Sequence, residues 1–396
     1  MPSPAPLDAE RIIVVLSDIE MGDGGVQDEF PHDEWLVSLL APYQQGRFRD
    51  LPVDFVFNGD CFDLLKVPYR GDWTHHVTAE VAQTKMASII GAHAAFFGGL
   101  RHILGHSAAP RVAHFVVGNH DAELLFPQVQ ALIRSQLGGR GVHFPGFTLR
   151  IGPVLLEHGG QLDPMFRMDP DHPFVTIDGR PMLGLPWGSV ALLNALIPMR
   201  SWFYFHDRLR PKSRVMELVP AIRELILARV WTYWSRDFWR DLVGTRDPLL
   251  RLDATMVKEV LWRFATTNTE VHLDPTWLEH TVAQDDAQLF VLGHLHQLAS
   301  HEHHGKRILQ LGPMRDEYDL DESGTRFTPR LKQILELRLG SDRVAGVVSH
   351  ELVGPPRTDG SIPRTVWDVL DEVEAATAGM GDDAVAAARR EREGGG

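Results

Sequence analysis

Cysteine is almost missing from this chain: of 396 residues one is cysteine, Cys61, which excludes an internal disulfide. Long apolar runs are missing too. Ser189 to Phe205 is nearly all apolar, but Asn194, Pro198 and Arg200 interrupt it, and it is too short to cross a bilayer. Met1 to Glu10 contain neither a basic stretch nor an apolar one of the kind that directs secretion, so the cytoplasm is the default location. Positive charge is scarce, with 39 Lys and Arg against 53 Asp and Glu, a formal net charge of −14. A nucleic-acid backbone would be repelled at long range, and no run of basic residues interleaved with aromatics offsets this. No internal repeat is visible. At 44% hydrophobic residues, the chain can bury one large domain with insertions.

What is present is a series of short motifs, each following an apolar run of β-strand character. Ile12 to Leu16 precedes Ser17-Asp18-Ile19-Glu20, and Val53 to Phe57 precedes Asn58-Gly59-Asp60-Cys61-Phe62-Asp63. Val112 to Val117 precedes Gly118-Asn119-His120-Asp121, Val154 to Leu156 precedes Glu157-His158-Gly159, and Leu289 to Leu292 precedes Gly293-His294-Leu295-His296. The runs are aliphatic or β-branched and short, which fits buried strands. Each motif places metal-ligating residue types at a strand end, and strand ends can converge on one rim of a sheet.

In order and content the motifs resemble the calcineurin-like metallophosphoesterases, more closely the bacterial-type group whose third motif is G-N-H-D. The family pattern is D-x-H, G-D-x-x-D, G-N-H-[DE], a lone His before Gly, and G-H-x-H. The likeness spans about Arg11 to Leu352, interrupted by a long insertion, and departs from the pattern at Glu20, which stands where His is usual. It implies a hydrolase of phosphate esters or anhydrides with two divalent metal ions. Two cations about 3.5 to 4 Å apart can neutralise a phosphoester's charge, deprotonate a bridging water and hold phosphorus for in-line attack. By the resemblance Asp60 bridges the two; Asp18, Glu20 and His296 complete the first position, and Asn119, His158 and His294 the second. His120 would stabilise charge on the phosphoryl group or protonate the leaving oxygen, with Asp121 orienting its ring. The substituted Glu20 would lower the Lewis acidity of the first metal and favour Mn or Mg over Zn and Fe, with an alkaline optimum, and Mn is the favoured ion. The competing outcome is that Glu20 swings away and leaves a weakened site in a metal-binding module without activity.

Related families separate on the same motifs. Protein Ser/Thr phosphatases of this superfamily carry Arg-Gly after the second motif, whereas Asp63 is followed by Leu64-Leu65 here. Enzymes that cleave UDP-diacylglucosamine usually have Arg at the position of His120 and Asp after the His-Gly that here continues to Gly160; that reading stands as an alternative. The substrate is a small phosphomonoester, phosphodiester or pyrophosphate, lipid-linked or not. Of the 20 histidines, His32, His75, His76, His93, His102, His106, His114, His143 and His172 read as satisfied core or surface residues. His301, His303 and His304 read as a solvated hairpin bending at Gly305. Cys61, beside Asp60, reads as a small buried hydrophobe.

The expected fold is α/β (α+β), a two-sheet β-sandwich flanked by helices with a helical insertion. Residues 1–175 and 285–352 form the core, 176–284 a cap, and 353–396 a linker, a short helix over Val366 to Ala378 and a tail with little to bury. Thr78 to Leu104 reads as one long helix, Leu252 to Thr267 as another, and the strands Ile308 to Leu311, Lys332 to Leu339 and Arg343 to Leu352 as closing the second sheet. Trp231, Tyr233, Trp234, Phe238 and Trp239 crowd the cap, where they either pack on the core or form a greasy cleft for a lipid or a peripheral membrane contact.

Overall fold

A computed structural model describes residues 8–197, 204–218, 231–233, 235, 247–250, 258, 281–360 and 362. In chain order the strands are β1 (Arg11–Leu16), β2 (Val53–Asn58), β3 (Arg111–Val116), β4 (Val142–Gly146), β5 (Thr148–Ile151), β6 (Val154–Glu157), β7 (Phe174–Ile177), β8 (Arg180–Leu183) and β9 (Leu209–Arg210). They continue with β10 (Leu289–Leu292), β11 (Ala299–His303), β12 (Lys306–Gln310), β13 (Tyr318–Leu320), β14 (Phe327–Pro329), β15 (Lys332–Leu339) and β16 (Val344–Leu352). The helices are α1 (Asp33–Leu40), α2 (Ala79–Ala92), α3 (Ala94–Gly105), α4 (Pro127–Gln136), α5 (Trp187–Ala191) and α6 (Lys212–Leu218).

Two sheets form the core, one ordered β16-β15-β1-β2-β3-β4 and the other β11-β12-β10-β6-β5. Strands β1 to β4 are mutually parallel, as are β6, β10 and β12. Parallel strands covered on both faces need continuous apolar runs, and Ile12 to Leu16 are all fully buried. Their alternation divides them between layers. Ile12, Val14 and Leu16 pack with Leu36, Phe96 and Leu100 of the helices, whereas Ile13 and Val15 meet Leu156, Val291 and Leu309 of the other sheet. The outer face of that sheet packs Leu155, Phe290 and Ile308 against Leu162 and Val282. The fold is therefore α+β, a two-sheet sandwich with helices on its flank.

Three expectations change. Only β12 joins the second sheet; β15 and β16 extend the first, with β15 antiparallel to β1. The reason is that β1, buried from Ile12 to Leu16, would otherwise be an open edge, and β15 covers it with Ile334 on the helix side and Leu335 and Leu337 between the sheets. The helix expected over Thr78 to Leu104 is two helices broken at His93 (φ −107°, ψ 37°). Its imidazole sits between Asp33 Oδ1 at 2.6 Å and Asp28 Oδ2 at 2.9 Å, and these bonds hold the break. The β7–β8 hairpin leads into α5, and β9, which pairs with β13, lies between α5 and α6, so the described part of the insertion is not purely helical. The helix expected over Leu252 to Thr267 and the one over Val366 to Ala378 lie outside the described residues, apart from Lys258, as do Trp234 and Trp239. Trp231 is 69% exposed and Tyr233 is buried. The β11–β12 hairpin turns at His304 and Gly305, as the sequence suggested.

Candidate metal centre

The five motifs leave the carboxyl ends of β1, β2, β3, β6 and β10, and the sandwich brings those ends together. Tight passage of the backbone is a condition for this. A Cβ on Gly118 would collide with Asp60 Oδ1, and one on Gly293 with the Ser17 hydroxyl, so both positions require glycine. The backbone is also held in an uncommon state. Of the eight non-glycine residues with positive φ among the described residues, five are expected ligands: Asp18, Glu20, Asp60, His294 and His296. Such conformations cost about 1 to 3 kcal/mol each and cluster at functional sites.

Asp60 lies at the middle. Its Oδ1 accepts the His120 backbone N–H at 2.7 Å, and its Oδ2 is 3.0 Å from His158 Nε2. His158 donates from Nδ1 to the Asn58 carbonyl at 3.1 Å, which turns Nε2 toward Asp60 and toward Asn119 Oδ1 at 3.0 Å. The His294 ring lies 5.2 Å from that of His158, and its buried Nε2 has no hydrogen-bond partner, with Asp163 Oδ2 3.6 Å away. On the other side, His296 Nε2 is 3.2 Å from Asp18 Oδ1 and 3.8 Å from Glu20 Oε1. Donor atoms of Asp18, Asp60 and His158 lie within 4.8 Å of one another, and so do those of Glu20, Asp60 and His120. Asp60 belongs to both groups.

This donor set fits divalent cations: carboxylate and amide oxygens with imidazole nitrogens, and a buried His294 nitrogen without a partner. The electrostatics agree. Burial opposes charge on His158, yet Asp60 and Asp18 hold its imidazole up at about 10. Burial would raise the Asp60 carboxyl, but His158 and His120 hold it well below the usual carboxylate range. A carboxylate cluster that keeps protons on neighbouring imidazoles attracts a cation to the same place, so metal uptake should release protons.

The second-layer contacts differ from the sequence reading. Asp121, expected to orient His120, does not touch its ring. Its Oδ1 accepts the Gly118 N–H at 2.7 Å and its Oδ2 the Cys61 N–H at 2.9 Å, which ties the loops after β2 and β3 together. The ring partner is Asp63, whose Oδ1 is 2.8 Å from His120 Nδ1. Asp63 was visible as the last residue of the second motif. Glu317, which holds His296 Nδ1 at 2.7 Å, carried no sequence signal beyond lying in a charged triplet after β12. Lys66 and Arg315 were also missed, and both reach Glu20 Oε2 at 2.6 Å. The Glu20 charge is therefore met by two buried cations.

Of the remaining histidines, His32 pairs with Asp316 at 3.0 Å. His75 and His76 converge on Asp247 Oδ2 at 3.0 and 2.6 Å. Asn194 Nδ2, which donates to the Val190 carbonyl, also faces His75 Nδ1 at 3.2 Å, leaving Nε2 of that ring as the donor to the carboxylate. Cys61 is buried, and burial with the nearby Asp121 and Asp60 pushes its thiol up, which keeps it unreactive. Among the described residues no helix is long and apolar enough to cross a membrane.

No family model matches the chain, and no curated protein matches it in sequence. Among solved structures it is similar to the phosphopantetheinyl hydrolase of Mycobacterium tuberculosis, at 14% identity and a TM-score of 0.26 over 78% of this chain and 92% of that one. It is also similar to a sulfate thiohydrolase of Thermus thermophilus, at 10% identity and a TM-score of 0.33 over 94% of this chain and 61% of that one. A third likeness is to vacuolar protein sorting 29 of Cryptosporidium parvum, at 11% identity and a TM-score of 0.25 over 88% of this chain and all of that one. Likenesses this remote say nothing about substrate.

Proposed function

We propose that this chain is a metal-dependent phosphohydrolase of the calcineurin-like metallophosphoesterase kind, cleaving a phosphomonoester, phosphodiester or pyrophosphate bond. The observation that carries the reading is that Asp60 sits at the meeting of two groups of donor atoms, one with Asp18 and His158 and one with Glu20 and His120, drawn from motifs far apart in sequence. Asp18, Glu20, Asp60 and His296 would hold one divalent ion, and Asp60, Asn119, His158 and His294 the other. When bound, the ions would supply positive charge for phosphoryl oxygens and acidify a bound water. Mn is the proposed ion because oxygen donors outnumber nitrogens in the set. His120 points into the same group, and Asp63 fixes its ring. Burial would discharge that ring, but in the metal-free chain Glu20, Asp60 and Asp63 raise it to about 9, and Asp63, which holds no metal in this reading, is the partner that would keep a proton on it for a leaving oxygen. With a net charge of −14, the protein attracts an anionic substrate only where ions offset its own field. The test is a Mn-supplemented hydrolysis screen over nucleotides, sugar nucleotides, lipid phosphates and bis-p-nitrophenyl phosphate. Hydrolysis abolished by chelation and restored by Mn is expected; metal-independent hydrolysis, or none across the screen, would contradict the reading.

A further inference from the structure

Glu20 has its two oxygens in different surroundings. Oε2 is capped by Lys66 Nζ and by Arg315 NH1, each at 2.6 Å, while Oε1 faces His296 Nε2 at 3.8 Å. Glu20, Lys66 and Arg315 are all buried, at 1%, 7% and 2% exposure, so their interaction is little screened. The same two cations share a second carboxylate, Asp207 Oδ2, at 3.0 Å from each, and Lys66 also meets Asp63 Oδ2 at 3.1 Å and Glu29 Oε1 at 3.7 Å, while Arg315 Nε meets Glu317 Oε1 at 3.3 Å. Asp207 lies beside β9, on the chain between the fourth and fifth motifs.

We infer that Lys66 and Arg315 are positioning residues which divide the Glu20 carboxylate, reserving Oε2 for themselves and leaving Oε1 as a single ligand atom for the first metal position. The physical case has two parts. Two strong charge-assisted bonds on one oxygen fix the rotamer of the carboxylate, which orients the other oxygen without further ordering cost. They also offset the negative charge that Glu20 would add to a position already ringed by Asp18 and Asp60, so a divalent ion there is neither over-bound nor stripped of its pull on a phosphoryl oxygen. This rests on the two-metal reading and specifies which groups outside the ligand shell set one of its positions.

The residues should therefore be coupled in metal affinity, because losing Glu20 leaves two buried cations facing the ion, whereas losing it after Lys66 is gone leaves one. Mn2+ binding to the full chain by calorimetry, with Mn2+ electron paramagnetic resonance to distinguish the positions, measures this. Glu20→Gln should weaken the first position at least about tenfold in the wild-type background and less than about threefold in a Lys66→Met background, the difference being the coupling. Lys66→Arg, which keeps the charge, should restore the larger loss. Equal losses in both backgrounds would overturn the inference. If Lys66→Met does not fold, Asp207→Asn serves instead: removing the charge of the carboxylate that both cations share at 3.0 Å should weaken the first position about threefold and leave the second unchanged, and an unchanged first position would overturn it. Absence of any saturable Mn2+ binding in the wild type would instead overturn the metal-centre reading, and this inference with it.

Discussion

At the scale of single residues the centre is a division of labour between atoms that would face metal and atoms that hold those in place. His158, His296 and His120 each commit one ring nitrogen to an oxygen, of Asn58, Glu317 and Asp63 respectively. Because the His120 ring is hydrogen-bonded to Asp63, and its bond to Asp60 comes from the backbone N–H that any residue keeps, His120→Ala should lower kcat by about 10² to 10⁴ with metal content unchanged by elemental analysis. The effect should be smaller on p-nitrophenyl esters, whose leaving group needs little protonation. Removing the Asp63 charge takes away one of the three carboxylates that raise the His120 imidazole to about 9. In metal-free Asp63→Asn the ring should titrate at lower pH by NMR, and an unmoved titration would assign the orientation elsewhere. The ligand types were legible because each sits in a motif with a fixed spacing. The partners were less so: Asp121 is next to His120 in sequence, but its backbone bonds turn it away, and the spacing alone could not show that Asp63 faces the ring.

At the scale of elements, local pattern located the strands well and their neighbours poorly. Apolar runs marked β1, β2, β3, β6 and β10 to within a residue or so, since a strand buried on both faces needs them. Which sheet β15 would join depended on covering the β1 edge, a long-range condition that no window of sequence contains. The break between α2 and α3 was hidden for a similar reason, as Ala, Ile and Phe on both sides read as one helix and the acceptors that hold His93 come from Asp28 and Asp33. That contact has a pH signature. Burial opposes charge on His93, but Asp28 and Asp33 raise it to about 9 from an ordinary 6.5. A raised imidazole stabilises the fold fully below its unfolded value and loses that contribution as pH climbs toward the folded one. The stability gap between wild type and His93→Gln should therefore shrink between about pH 6.5 and 9, read from denaturant melts. A gap that stays constant or widens over that window would contradict the pairing.

For the whole molecule, the chain between the fourth and fifth motifs is tied into the centre and not merely laid beside it. Asp207 meets Lys66 and Arg315, Arg210 binds Glu317, which holds His296, and the wholly buried Arg208 reaches Glu29 Oε2 at 2.7 Å and the carbonyls of Val26 and Asp28. Arg208→Ala takes from the buried Glu29 the cation at 2.7 Å, with Lys66 Nζ still 3.7 Å from its other oxygen, so it should cost about 3 kcal/mol in unfolding free energy. A loss under about 1 kcal/mol would mean that this segment is held by other contacts. The length of the insertion and its aromatic content were plain in the sequence, but its charged attachment was not, because Asp207-Arg208-Leu209-Arg210 has the composition of any solvated turn. The central claim is that Asp60 serves two metal positions at once, and it is tested most directly by titrating Mn2+ into metal-free wild type and Asp60→Asn while following stoichiometry and hydrolysis together. Two ions per chain in the wild type, with both occupancy and activity collapsing in the variant, is the expected result; an Asp60→Asn protein that keeps two ions and the wild-type rate would contradict it.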